Sequence, residues 1–208
     1  MRKLALLAAL SVFAASPVWA STITWTFTST PGNLGPTATF TSGGVSITAT
    51  GYSMAGAANT TALYAKIGST PDEVGLGLAS LPDEEIGGTA FIQFNVSKLM
   101  PGFSAPMVTV GSLQTGENFE ICGSKAAGSM GACSSPFMAT TDAIASATFP
   151  NWGSYSYYSI FSPKGNSLID SITASTVSAI PEPASLALFG FGLLAAGAFF
   201  RKRLIREE

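Results

Sequence analysis

The chain has 208 residues and a formal net charge of −2, only 11% of its residues are charged, and it contains no histidine. Without histidine, Ser-His-Asp and Cys-His catalysis and the ordinary imidazole-containing zinc sites are excluded. Residues 21–180 contain four lysines, no arginine and nine acidic residues, a net charge of −5. This balance argues against a nucleic-acid partner, because phosphate binding needs clustered basic side chains.

The first twenty residues have the pattern of a secretory signal peptide. Arg2 and Lys3 precede an apolar stretch, and Val18 and Ala20 occupy the positions that signal peptidase reads. We predict an N-terminal signal-peptide helix over residues 1–20, cleaved between Ala20 and Ser21 after passage through the general secretion machinery. The alternative is a permanent N-terminal anchor, for which an apolar core of about 12 residues is short.

From Ser21 onward, apolar residues alternate with threonine or serine, so the two faces of each segment differ in polarity. In the first such segment, Ile23, Trp25 and Phe27 alternate with threonines. About ten short segments of this kind are separated by turn residues, and no helical stripe occurs between the two chain ends. We therefore predict one all-β exported domain over residues 21–179, an antiparallel β-sandwich of jelly-roll type.

Two acidic segments, Asp72-Glu73 and Asp83-Glu84-Glu85, each follow a proline and flank the apolar stretch Val74 to Ser80. If they meet across a hairpin, Asp72, Glu73, Asp83 and Glu84 offer the hard oxygen ligands that Ca²⁺ prefers, and no other cofactor is expected. The other interpretation is that these acids only solubilise two proline-opened turns. Neither segment has the alternating aspartate spacing of a calcium loop.

Cys122 and Cys133 are the only cysteines. An exported chain passes through a compartment in which disulfides persist, so we predict a bond between them. It would close a flexible loop rich in glycine, serine and alanine and stabilise the fold by about 2 to 3 kcal/mol. Two free thiols are the alternative.

Aromatic residues cluster at Trp152, Tyr155 and Tyr157, followed by Tyr158. Exposed rings of this kind stack on sugars, so Trp152, Tyr155 and Tyr157 are candidate glycan-binding residues. On one strand Tyr155 and Tyr157 would share a face while Tyr158 points to the other, so part of the cluster is expected to be core.

The last segment, residues 180–208, combines three features in a fixed order. Pro181-Glu182-Pro183 precede an uncharged apolar run from Ala184 to Phe200, and Arg201-Lys202-Arg203 follow it. A run of about 17 apolar residues is the lower limit for a transmembrane helix, and cations beyond a span favour the cytoplasmic side. We predict a single C-terminal transmembrane helix with a basic end. The β-domain would then lie on the non-cytoplasmic side of the inner membrane. An uncleaved anchor is the plainest interpretation of such a tail.

This tail resembles the PEP-CTERM sorting signal of exported bacterial proteins, which accompanies an N-terminal signal peptide. The resemblance implies processing at or near Pro181-Glu182-Pro183 by an exosortase, a multipass membrane protein, with removal of the helix. It also implies a Gram-negative host that makes exopolysaccharide, transient anchoring in the inner membrane, and a final place on the cell surface or in the biofilm matrix.

We therefore expect a secreted protein that is not an enzyme and whose partners are signal peptidase, an exosortase and, in the matrix, exopolysaccharide. A carbohydrate-binding module of the extracellular matrix and a simple C-terminally anchored envelope protein are the alternatives. An enzyme of unfamiliar chemistry is a third class. Lysine-activated serine catalysis needs no histidine, but none of the four lysines of residues 21–180 lies in a Ser-x-x-Lys setting.

Overall fold

A computed structural model describes residues 21–28, 30–100, 102–140 and 143–177. These ranges contain sixteen β-strands and two short 3-10 turns. The predicted signal peptide and the segment from residue 180 onward lie outside these ranges. Within the ranges, no helix combines the length and the hydropathy that a membrane span requires.

The first eight strands in chain order are β1 (Thr22–Thr26), β2 (Gly32–Gly35), β3 (Thr37–Ser42), β4 (Val45–Tyr52), β5 (Thr60–Thr61), β6 (Leu63–Ile67), β7 (Val74–Leu78) and β8 (Ile86–Gly87). The other eight are β9 (Phe91–Asn95), β10 (Met107–Leu113), β11 (Asn118–Ser124), β12 (Ala132–Cys133), β13 (Phe137–Met138), β14 (Ala143–Thr148), β15 (Tyr157–Lys164) and β16 (Asn166–Ser175). The 3-10 turns, Pro71–Glu73 and Pro82–Glu84, flank β7.

The strands form two sheets in which all pairs are antiparallel. Sheet A has the order β14-β10-β16-β7-β6-β2, with β1 and β8 also paired to β16. Sheet B has the order β12-β11-β15-β9-β4-β3, with β13 paired to β11 and β5 to β4. The predicted all-β sandwich is confirmed, whereas its jelly-roll strand order stays a prediction. The expected number of strands was too low, because β5, β8, β12 and β13 have only two residues each and show no period.

Large apolar side chains from both sheets fill the space between them. Trp25, Phe27, Phe94, Phe119 and Tyr158 are each less than 2% exposed. Burying a side chain of this size stabilises the fold by about 1.5 to 3 kcal/mol before the loss of conformational entropy is subtracted. The predicted alternation on β1 is correct, since Trp25 is buried while the threonines beside it are exposed.

The two ends of the described domain lie side by side. The Ser21 backbone nitrogen donates to Thr176 Oγ1 at 2.9 Å, and the Thr176 backbone nitrogen donates to the Ser21 carbonyl at 2.8 Å. These contacts continue the ladder in which β1 pairs with β16 from Thr22↔Ser175 to Thr26↔Ser171. The chain therefore enters and leaves the folded domain at one place.

Two glycines let the acidic turns approach sheet A closely. A Cβ atom on Gly77 would lie 1.9 Å from the Glu84 carbonyl oxygen, and one on Gly111 would lie 2.6 Å from the Asp72 carbonyl oxygen. Both obstacles are backbone atoms, so a rotamer change does not relieve the overlap. Gly77 of the Gly75-Leu76-Gly77 sequence is thus explained by packing.

Replacing Gly77 with alanine is therefore expected to lower the free energy of unfolding by about 1 to 3 kcal/mol, because the second acidic turn must move outward. Gly102→Ala is the matched control, since its Cβ atom would meet nothing closer than 4.0 Å. Chemical denaturation of both variants measures the difference. Equal stability of the two variants would show that the turn shifts at no cost.

Candidate functional site

The two acidic segments converge on the ammonium group of Lys66. This residue on β6 places its Nζ atom 2.8 Å from Glu73 Oε2 and 2.6 Å from Glu85 Oε1. Glu73 ends the first 3-10 turn, and Glu85 directly follows the second. One cation on sheet A therefore connects both turns to the same strand.

Ser112 supplies the fourth polar group of this cluster. Its hydroxyl oxygen lies 2.9 Å from both carboxylate oxygens of Glu85 and 3.1 Å from Glu73 Oε1. The hydroxyl therefore donates a hydrogen bond that the two carboxylates share. The residue has a φ of 58°, a left-handed conformation that is uncommon outside glycine. It lies where the pairing of β10 with β14 shifts register, between Val110 and Leu113. This β-bulge turns the serine toward the acids.

The charges of the cluster stabilise one another unequally. Burial alone would lower the pKa of Lys66, but its hydrogen bonds to Glu73 and Glu85 outweigh burial and raise the pKa to about 12. The hydrogen bond from Lys66 lowers the pKa of Glu73. Burial raises the pKa of Glu85, although Lys66 and Ser112 act in the opposite direction. Lys66 therefore stays protonated at neutral pH and acts as a cation, not as a general base.

The cluster lines a polar cleft of about 180 Å³, together with Asp83, Gln114, Glu117 and Asn166. Of the predicted calcium ligands, Glu73 and Asp83 line this cleft, and Asp72 and Glu84 do not. The structure thus does not bring all four carboxylates to one position. The positive charge of Lys66 opposes a cation beside Glu73.

Elsewhere in the described ranges, the one group of three acidic or cysteine side chains close enough to share an ion is Glu120, Cys122 and Cys133. Both of its sulfur atoms belong to a disulfide bond. A disulfide sulfur is not a thiolate ligand, so this group does not have the donor set of a metal site. Calcium binding stays a prediction.

The aromatic cluster packs mainly against the core. Trp152 is half-buried, donates its indole N–H to the Phe103 carbonyl at 2.9 Å, and stacks on Tyr158 with a centroid distance of 5.8 Å. Tyr155 meets the same ring edge-on at 5.9 Å. The expectation that Tyr155 and Tyr157 share a strand face is wrong, because β15 begins only at Tyr157. The expectation that part of this cluster belongs to the core is correct, since Tyr158 is fully buried.

The predicted disulfide joins Cys122 on β11 to Cys133 on β12, which lie directly opposite each other. The loop that it closes is not the flexible excursion that its composition indicates. Gln93, only 2% exposed on β9, donates from Nε2 to the Ser129 carbonyl at 2.8 Å and accepts from the Gly128 backbone nitrogen at 2.8 Å. A buried glutamine in the middle of sheet B therefore holds the loop against the sheet.

Three residues that organise these sites, Lys66, Ser112 and Gln93, carry no sequence signal. Each lies within a strand, and its hydrogen-bond partners are 7 to 66 residues away. Their partners, the acidic turns and the cysteine loop, are visible in the sequence, but the contacts form only in the folded sheets. Lys66 and Gln93 occupy the positions of β6 and β9 that alternate with the core residues, where a polar side chain is ordinary, so neither stands out in the sequence.

A family model for the PEP-CTERM protein-sorting motif matches residues 179–203. The match includes Pro181-Glu182-Pro183 and ends at Arg203, so the resemblance stated from the sequence is confirmed. Neither the curated proteins nor the solved structures contain a match to the chain. The chain thus carries an exosortase sorting signal outside its described β-domain.

Proposed function

We propose that this chain is an exported, noncatalytic surface or matrix protein that an exosortase sorts and processes at its C-terminus. The sorting motif at residues 179–203 is the observation that carries the proposal. In this proposal the basic signal peptide starts export, and the C-terminal helix holds the β-domain at the inner membrane until processing. No bound cofactor is needed for that role.

The position of the domain ends supports this arrangement. Ser21, the first residue of the proposed mature chain, is hydrogen-bonded to Thr176. A chain extends at most about 3.6 Å per residue, so the four steps from Val177 to Pro181 allow about 14 Å at most. The signal peptide would therefore enter the folded domain, and the tail would leave it, at the same place.

The final location of the processed domain is a second part of this proposal. We propose that the processed domain stays on the cell surface or among exopolysaccharide, where a low-charge, hydroxyl-rich sandwich with a disulfide suits an extracellular setting. Carbohydrate binding through Trp152, Tyr155 and Tyr157 is less well supported, because the rings of Trp152 and Tyr155 contact Tyr158 and the core.

Intact-mass spectrometry of the protein from its native host tests the sorting. We expect a mature species that begins at Ser21 and lacks the residues after the Pro-Glu-Pro motif. Deleting the exosortase gene, or replacing Glu182 with alanine, should leave the chain ending at Glu208. Glu207→Ala is the matched control, because it removes the same charge outside the matched motif and should leave processing unchanged.

A chain that ends at Glu208 in hosts with and without the exosortase would reject the proposal and leave a simple C-terminal anchor. Normal processing of the Glu182→Ala variant alone would restrict recognition to the prolines and the helix.

A further inference from the structure

Strand β3 is an edge strand with an unusual lack of protection. Its sequence, Thr37 to Ser42, contains no charged residue, and among the described residues it pairs only with β4. Its ladder with β4 runs over all six residues without a register shift. Natural sheets normally protect such edges with charges, prolines, bulges or very short strands, because a free edge recruits other strands.

Most of the other sheet edges in the described ranges do carry such protection. The ladders of β14 and β2 contain register shifts, and β12 and β13 have two residues each. Strand β1 is the exception, since it is uncharged and regular, and it lies beside β3. A groove of about 210 Å³ separates the two strands and is lined by Thr24 to Thr26 and by Thr39 to Ser42.

The register shows which backbone groups of β3 face outward. The Gly51 nitrogen donates to the Pro36 carbonyl, and hydrogen-bonded pairs alternate along an antiparallel ladder. Ala38, Phe40 and Ser42 therefore exchange bonds with β4. The N–H and C=O groups of Thr37, Thr39 and Thr41 point to the free edge.

The side chains of the same threonines are already satisfied. Thr39 is bonded to Thr48 at 3.2 Å and Thr41 to Ser46 at 2.7 Å on the outer face of sheet B. The free groups of this edge are thus backbone groups, which an extended strand satisfies. A glycan would need unpaired polar side chains or open ring faces, and Trp25 in this groove is only 1% exposed.

We propose that β3 is the surface through which two copies of the exported domain pair, antiparallel and about a two-fold axis at Thr39. This register sets Thr37 opposite the partner's Thr41 and Thr39 opposite its counterpart, so the free N–H and C=O groups of all three threonines find partners. A second copy fits this edge because its own β3 offers the same uncharged strand and the same spacing of free groups. The pairing goes beyond sorting and does not depend on it.

A cysteine cross-link tests the register. In a hydrogen-bonded antiparallel pair the two Cα atoms lie about 5.5 Å apart, which is within disulfide range. The Thr39→Cys variant, exported by its host, should therefore run as a covalent dimer on a non-reducing gel. Thr48→Cys is the matched control, because it lies directly opposite Thr39 but one strand inside the edge, and it should stay monomeric.

A second measurement uses sedimentation of the exported protein over a range of concentrations. One pair of short strands is a small interface, so we expect a reversible dimer. Thr39→Lys would place two ammonium groups opposite each other and should raise the dimer dissociation constant about tenfold or more relative to Thr48→Lys. Both variants lose the same hydroxyl pair, so a change in folding affects them alike.

Three results would overturn the proposal. The first is an exported protein that stays monomeric at all concentrations together with no cross-link from Thr39→Cys. The second is equal cross-linking from both cysteine variants, and the third is a mixed disulfide with a different protein in place of the dimer.

Discussion

Replacing Lys66 with methionine is expected to lower the free energy of unfolding by about 3 to 5 kcal/mol at neutral pH, because it removes the cation from a buried ion pair. Methionine preserves most of the side-chain volume, so the loss reports on charge more than on packing. The partner that matters most is Glu85, whose side chain is 6% exposed, whereas that of Glu73 is 37% exposed and solvated. Urea denaturation followed by tryptophan fluorescence measures the change.

The matched control is Lys98→Met at an exposed lysine, which should change stability by about 0.5 kcal/mol or less. Adding Glu85→Gln to Lys66→Met should recover most of the loss, because the uncompensated charge is then gone. A loss below about 1 kcal/mol, or no recovery in the double variant, would show that water solvates Glu85 in the folded state.

Acid should reduce the difference in unfolding free energy between the wild type and Lys66→Met. Burial raises the pKa of Glu85, and losing Lys66 raises it further, so the folded variant gains stability as the pH falls toward the ordinary glutamate value. In the wild type, the lowered pKa of Glu73 contributes stability above that ordinary value, which is lost as the pH falls through the folded value. Both effects bring the two proteins closer together in acid.

Alkali should also remove the difference in unfolding free energy between the wild type and Lys66→Met. The pKa of Lys66 is raised from 10.5 to about 12, so the stability that its charge provides is complete below the first value and is lost as the pH rises through the second. For Tyr158 it is burial that raises the pKa, also to about 12. Tyr158 titrates in both proteins, so its contribution cancels when the two stability curves are subtracted.

The fold class was accessible from the sequence because sandwich strands bury one face. Trp25 and Phe27 alternate with threonines, and that period of two specifies a half-buried strand without any knowledge of its partners. The strand order was not accessible in the same way. The pairing of β1 with β16 joins residues that are about 150 positions apart, and no local pattern names the partner of a strand.

The candidate sites were also predictable only where local sequence specifies them. The disulfide and the sorting motif are specified by residue type and spacing, so both were predicted. The charge cluster was predicted only in part: proline-opened acidic turns are visible in sequence, but their approach to Lys66 depends on the missing side chain of Gly77 and on the bulge at Ser112. The order of the cysteine loop was missed for a similar reason, because its composition indicates flexibility while its contact, Gln93, comes from another strand.

Removing the disulfide by the paired changes Cys122→Ala and Cys133→Ala is expected to cost about 3 kcal/mol of unfolding free energy, since a loop of about 12 residues is then free in the unfolded chain. That cost arises mainly in the unfolded state. We therefore expect the folded loop to keep its place, and the Gly128 amide, which donates to Gln93 Oε1, to stay protected from hydrogen exchange.

The change Gln93→Leu should give the opposite combination. With the disulfide intact, global stability should fall by about 1 to 3 kcal/mol, because the Gly128 N–H and the Ser129 carbonyl lose their partner, and the Gly128 amide should exchange rapidly. Gln114→Leu at an exposed position is the matched control and should change neither quantity. The two effects separate what the disulfide does to the unfolded chain from what Gln93 does to the folded loop. If the disulfide-free protein also lost protection at Gly128, the covalent bond rather than Gln93 would be what holds the loop on sheet B.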